Sequence, residues 1–172
     1  MNCDIITVGD KMRGDKINYY LDIAEVTASR STCLRRKFGC IIVKNDEIIA
    51  TGYNGAPRGR KHCDDLDKCM REELDIPRGE RYEICRSVHA EANAIVSVAR
   101  RDTIGGTIYM ACINKVTGEL EPNTTSCLMC KRLVINAGIK EVIVRDTKDT
   151  YTIYKVEDWI NNDESLTGEL GY

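Results

Sequence analysis

The sequence predicts an α/β fold in which a mixed sheet is covered by helices. Three observations carry this. Two apolar runs, 38–43 and 48–51, flank the polar turn Lys44-Asn45-Asp46-Glu47 and read as a hairpin. Ahead of it, Ile17, Tyr20, Leu21, Ala24 and Ala28 recur at helical spacing. After residue 87 the pattern alternates helix, strand, helix, strand, which adds strands beside the hairpin and places helices over them.

Taken in order, residues 1–14 carry charge and glycine and read as an unstructured N-terminal extension. A helix runs from Ile17 to about Arg30, followed by Cys33, the basic cluster Arg35, Arg36 and Lys37, and the hairpin. Gly52-Tyr53-Asn54-Gly55-Ala56-Pro57-Arg58-Gly59 holds three glycines and a proline. Such a loop can let a ligand come close, or it can simply connect two elements. The stretch 60–86 is an insertion dense in charge and poor in aliphatic residues, with Cys63, Cys69 and Cys85 spread through it. It cannot fold on apolar burial alone, and a metal would supply the missing tie.

A second helix starts with Ser87 as its cap and runs to about Arg101. Val88, Ala92, Ile95, Val96 and Ala99 would face the core, leaving His89 and Glu91 in the open first turn. Gly105-Gly106 then turn the chain into a strand over 107–111, and a polar loop over 114–125 follows. A third helix begins at Ser126, buries Cys130, Leu133, Val134 and Ala137, and ends at Gly138. A strand over 141–144 comes next. The region 146–172 holds a short strand near 152–156, a short helix around Asp158 and an acidic tail. The whole, 1–172, reads as one domain.

Composition narrows the function classes. A net charge of -2 and a pI near 5.8 argue against a broad surface for long nucleic acids. No apolar run approaches the ~18 residues of a membrane span, and the N-terminus does not resemble a signal peptide. A cytoplasmic location follows as the expectation. Nine cysteines in a chain read as intracellular point to metal ligands or buried thiols rather than disulfides, and two histidines, His62 and His89, limit the nitrogen ligands.

The sharpest constellation joins His89 and Glu91 to Cys127 and Cys130. A Cys-x-x-Cys at a helix start puts both thiols on one face and favours thiolates. Two thiolates and one imidazole leave the fourth zinc position open, the pattern of a catalytic site. Glu91 is then the general acid/base rather than a ligand. Cys-x-x-Cys alone would equally suit a redox pair or half of a structural zinc knot.

His89-Ala90-Glu91 followed by Ser126-Cys127-Leu128-Met129-Cys130 resembles the signature of the zinc-dependent cytidine and deoxycytidylate deaminase superfamily. Thr51-Gly52-Tyr53-Asn54-Gly55, Asn93-Ala94-Ile95 and Ile135-Asn136-Ala137-Gly138-Ile139-Lys140 extend the likeness to the deoxycytidylate deaminases, over residues 17 to 145. Three departures stand out: Ser126 occupies the proline position, the segment 112–125 is long, and Val144 and Arg145 stand where a tyrosine often follows the last core strand.

The resemblance implies a three-layer α/β/α fold with about five strands and helices on both faces. It implies hydrolytic deamination of dCMP to dUMP and ammonia by zinc-activated water, with Glu91 as proton shuttle. Another cytosine nucleotide or nucleoside, a tRNA base, or a non-catalytic zinc module are the competing readings. Asn54 and Ala90 would contact substrate and Arg100 its phosphate, unless Arg100 is a solvated charge at a helix end. Arg58 would take a substrate or effector phosphate. A second, structural zinc would sit among Cys33, Cys63, Cys69 and Cys85, with His62 able to replace one; four unrelated buried thiols are the plainer reading. Related enzymes form homo-oligomers, often hexamers, switched on by dCTP and off by dTTP, with Mg²⁺ accompanying the effector.

Overall fold

The computed structural model describes residues 15–77 and 79–162. The N-terminal extension and the acidic tail lie outside them. Helix α1 (Lys16–Ser29) opens with Asp15 as its cap, the carboxylate accepting from the Ile17 and Asn18 amides. Strands β1 (Arg36–Lys44) and β2 (Glu47–Tyr53) form the expected hairpin. Its turn places Asn45 and Asp46 at φ 50 and 69, a left-handed pair that suits a two-residue connection.

The five-stranded sheet has the order β2-β1-β3-β4-β5, with β3 (Thr107–Asn114), β4 (Glu141–Arg145) and β5 (Tyr151–Lys155). Only the β3–β4 pair is parallel. Alternation along the central strands divides the core. Ile41, Val43, Tyr109, Ala111 and Ile143 pack under Tyr20, Leu21 and Ala24 of α1. Cys40, Ile42, Ile108, Met110, Val142 and Val144 face the opposite layer of helices. That layer comprises α4 (Ala90–Val96), α6 (Leu128–Asn136) and α7 (Val156–Asn161), so the three-layer expectation holds. The single turns α2 (Cys63–Leu66) and α3 (Met70–Glu73), and a 3₁₀ turn over Tyr82–Ile84, make up the insertion.

Two glycines fix how closely the helices approach. A Cβ on Gly39 would lie 2.1 Å from the Ala28 amide nitrogen of α1, and one on Gly52 would lie 2.2 Å from the Ala90 carbonyl oxygen of α4. Neither contact leaves room for a side chain, because both opposing atoms are backbone.

Several local expectations are corrected. The helix after Ser87 is shorter: it starts at Ala90, with His89 rather than Ser87 in the cap position, and ends at Val96. The chain restarts as the single turn α5 (Arg100–Thr103). Val96 is 79% exposed and Ala99 is also exposed, while Ala90, Glu91 and Ala94 are the buried face. The face turns because Gly52 draws Ala90 and Ala94 onto the sheet. Strand β3 continues to Asn114, since Cys112 and Ile113 still pair with β1. Helix α6 begins at Leu128, so Cys127 is its cap residue and Ser126 precedes it. Leu133 stays 38% exposed; Cys130, Val134 and Ala137 form the buried stripe.

Candidate active site

The first residues of α4 and α6 meet on one face of the sheet. An antiparallel bridge between Gly55 and Val88 anchors the chain just before His89. The Asn93 Nδ2 donates to the Tyr53 carbonyl at 2.8 Å, which fastens α4 to the end of β2. Helix α6 is the crossover between the parallel strands β3 and β4 and delivers Cys127 and Cys130 to the same place.

His89 Nδ1 lies 3.3 Å from the Cys127 sulfur and 3.4 Å from that of Cys130. These three residues form a group whose donor atoms all lie within 4.8 Å of one another. The Cys130 S–H donates to Cys127 and holds that thiol down to about 4, against its burial and with help from His89. Cys130 is correspondingly pushed up, first by that same hydrogen bond, then by burial and the Glu91 charge. Burial opposes charge on His89, but the Cys127 sulfur and the negative charges of Glu91 and Cys127 outweigh it and raise its pKa. An anionic thiolate beside a thiol and an imidazole, in a dry setting, is a donor set that suits zinc.

Glu91 is 4% exposed, adjoins Cys130, and is not one of the three clustered donors. It opens with His89, Ala90 and Cys127 onto a cavity of about 540 Å³. The other wall is the insertion, including Cys63, Cys69, Arg71, Tyr82 and Cys85. Arg35, Arg36, Arg60, Lys68, Arg71 and Arg86 give this cavity a cationic lining that suits an anionic ligand.

Asn54 also lines the cavity. Its Oδ1 accepts from Ser31 Oγ at 2.5 Å and from the Phe38 amide at 2.8 Å, and its Nδ2 donates to the Arg36 carbonyl at 2.8 Å. One Nδ2 hydrogen is left for a ligand. Arg100 is not on the cavity wall: it is exposed, and its Nε donates to the Asn136 carbonyl at the end of α6 at 2.7 Å. Arg58 is likewise exposed and off the cavity.

Cys33, Cys63, Cys69 and Cys85 converge on the cavity, close enough for Cys63 to feel the charge of the other three. Burial raises the Cys63 and Cys85 thiols. Among the described residues their sulfurs do not close to the spacing of the His89 group. His62 Nδ1 is within 3.2 Å of Thr32 Oγ1.

Arg71 and Tyr82 escape the sequence reading. Tyr82 meets His89 edge-on, with ring centroids 4.8 Å apart at 88°, and the Arg71 guanidinium lies 4.5 Å from the Tyr82 centroid. Neither belongs to an apolar repeat, and in a charge-dense stretch one arginine reads like any other.

Comparison with known proteins gives the same answer as the geometry. The family described as "Cytidine and deoxycytidylate deaminase zinc-binding region" matches residues 15–146. The deoxycytidylate deaminase of Schizosaccharomyces pombe is 34% identical over 73% of this chain, which spans about a third, 35%, of that protein's length. The deoxycytidylate deaminase of Mycobacterium phage D29 is 37% identical over 76% of this chain and 94% of its own. The crystal structure of the cyanophage S-TIM5 dCMP deaminase in complex with dCMP and dUMP superposes with a TM-score of 0.57 at 26% identity, covering 90% of this chain and 94% of that one. With a His/Cys/Cys donor group that could hold a metal and the family matched over residues 15–146, the chain belongs to the cytidine and deoxycytidylate deaminase zinc-binding family.

Proposed function

We propose that this protein is a zinc-dependent hydrolase that converts dCMP to dUMP and ammonia. The observation that carries this is the buried Glu91 carboxylate beside the His89, Cys127 and Cys130 donors, all facing a cavity lined with cations. Relatives of the chain are named for this activity.

Zinc bound by His89, Cys127 and Cys130 would supply a water acidified toward neutral pH. Glu91 would take one proton from that water and pass it to the cytosine ring nitrogen as the water oxygen bonds to the amino-bearing carbon. It would then carry the remaining proton of that oxygen to the exocyclic amine, which leaves as ammonia as its C–N bond breaks and the carbonyl forms. The insertion forms much of the opposite wall of the cavity. The free Nδ2 hydrogen of Asn54 and the Ala90 backbone at the start of α4 orient the nucleoside. Arg58 and Arg100, the phosphate contacts the resemblance implies, lie off the cavity.

The reading extends to a structural zinc held by Cys33, Cys63, Cys69 and Cys85, with His62 as a substitute ligand. Their convergence on one wall supports it. It also extends to a homo-oligomer regulated by dCTP and dTTP with Mg²⁺, acting on a free nucleotide.

The deciding experiment incubates the zinc-loaded protein with dCMP, CMP, cytidine and dCTP, with and without added dCTP and Mg²⁺. Release of ammonia with loss of cytosine absorbance is expected from dCMP. If every cytosine compound stays intact, the reading fails. Salt-dependent tRNA binding with deamination of a tRNA base would point to the competing enzyme class.

A further inference from the structure

Arg71 is a cation that the chemistry above does not use. It sits in α3, is 5% exposed, and lines the cavity shared by His89 and Glu91. One nitrogen, Nη2, donates to the Pro77 carbonyl at 2.5 Å, and the guanidinium rests on the Tyr82 ring. Its Nε is buried without a hydrogen-bond partner. Among the described residues no carboxylate pairs with it. The neighbouring cavity cations Arg35, Arg36 and Lys68 are instead bridged to Glu72, Glu121 and Glu73. Glu83, which also faces the cavity, is paired with Arg81.

A guanidinium cannot shed its proton to relieve burial, so an unpaired buried arginine is costly. One carbonyl and one aromatic face compensate it only in part. The partner that completes it is an anion entering the cavity. The placement suits one class of anion. A single aromatic ring, Tyr82, separates the guanidinium from the metal-ligand histidine. A single sugar separates the base of a nucleoside monophosphate from its phosphate. The cavity holds a further buried polar atom without a partner, Oγ1 of Thr124, which is 1% exposed.

We propose that Arg71 is a specificity-determining residue whose guanidinium binds the phosphate of the substrate, so that the insertion selects a nucleoside monophosphate over the free nucleoside. The inference rests on the deamination reading above. Its test compares kcat/KM for dCMP and for deoxycytidine in the unsubstituted protein, Arg71→Ala and Arg71→Lys, with zinc content measured on each. Arg71→Ala should lose about 100-fold on dCMP, change less than about 3-fold on deoxycytidine, and keep its zinc. Arg71→Lys, which keeps the charge and the fold, should recover part of the dCMP rate. Equal losses on both substrates, or a loss of zinc from either variant, would make Arg71 structural and overturn the proposal. Unchanged rates on both would overturn it too. An unsubstituted protein that turns over neither compound sinks the deamination reading and this one together, a result distinct from equal losses.

Discussion

Glu91 occupies a position that water barely reaches, beside three donors that can hold a metal, and two substitutions separate proton transfer from metal binding. Glu91→Gln keeps the shape and loses the proton shuttle. Turnover should fall about 1000-fold while zinc content by atomic absorption stays unchanged. A non-catalytic zinc module predicts no measurable change at all. Cys127→Ser should instead remove both zinc and turnover, because it takes one of three ligands. A different residue reports on pH. Burial, with a hydrogen bond to Asp46, pushes the Tyr20 hydroxyl up to about 12 from an ordinary 10. The folded state therefore favours the protonated phenol. This contribution is complete below the unfolded pKa near 10 and disappears as pH rises through 12. Unfolding midpoints should fall across that window and do so less steeply in Tyr20→Phe.

At the scale of elements, helix α4 is positioned by a glycine rather than by a side chain. Gly52→Ala would drive a Cβ into the Ala90 carbonyl and lift the start of the helix. His89 and Glu91 would move with it, so zinc content and turnover should fall together, with a loss of thermal stability by calorimetry. The insertion offers the complementary test. Zinc per chain should drop from two to one in Cys63→Ser Cys69→Ser, and a value of one in the unsubstituted protein would remove the structural site.

How much of this the sequence reveals depends on the physics behind each element. The hairpin, α1, Gly138 and the β4–β5 pair are legible because alternation, helical spacing and turn residues are local signals. The convergence of His89, Cys127 and Cys130 is legible because metal ligation restricts residue type and spacing. The buried face of α4 is not, since Val96 looks apolar and Glu91 polar until the close approach at Gly52 turns the helix. Cys127 displaces Ser126 from the cap for a similar reason: where a helix begins in three dimensions is set by the residues that converge there. Arg71 is invisible because its importance comes from the lack of a paired carboxylate among the described residues, and that absence exists only in the folded chain.

Across the whole molecule, Arg145 ties the end of β4 to α1. It is 1% exposed, donates to Asp22 at 2.6 Å and to Glu25 at 3.2 Å, and reaches the Asn18 carbonyl at 3.0 Å. The position fastens α1 to β4 rather than facing the cavity. Arg145→Met should cost about 2–3 kcal/mol in chemical denaturation, with the metal centre and its activity at low temperature intact.

The cavity has two walls of different origin. Strand ends and helix starts of the central fold hold the donors and Glu91, while residues 60–86 hold Arg71 and Tyr82 opposite them. Because that second wall is one contiguous stretch of chain, it can be replaced or lengthened without substituting His89, Cys127 or Cys130, provided the Tyr82 contact with His89 is kept. The reaction and the choice of what undergoes it are thus free to evolve at different speeds, and grafting the stretch from a relative with another preference is the natural unit of redesign.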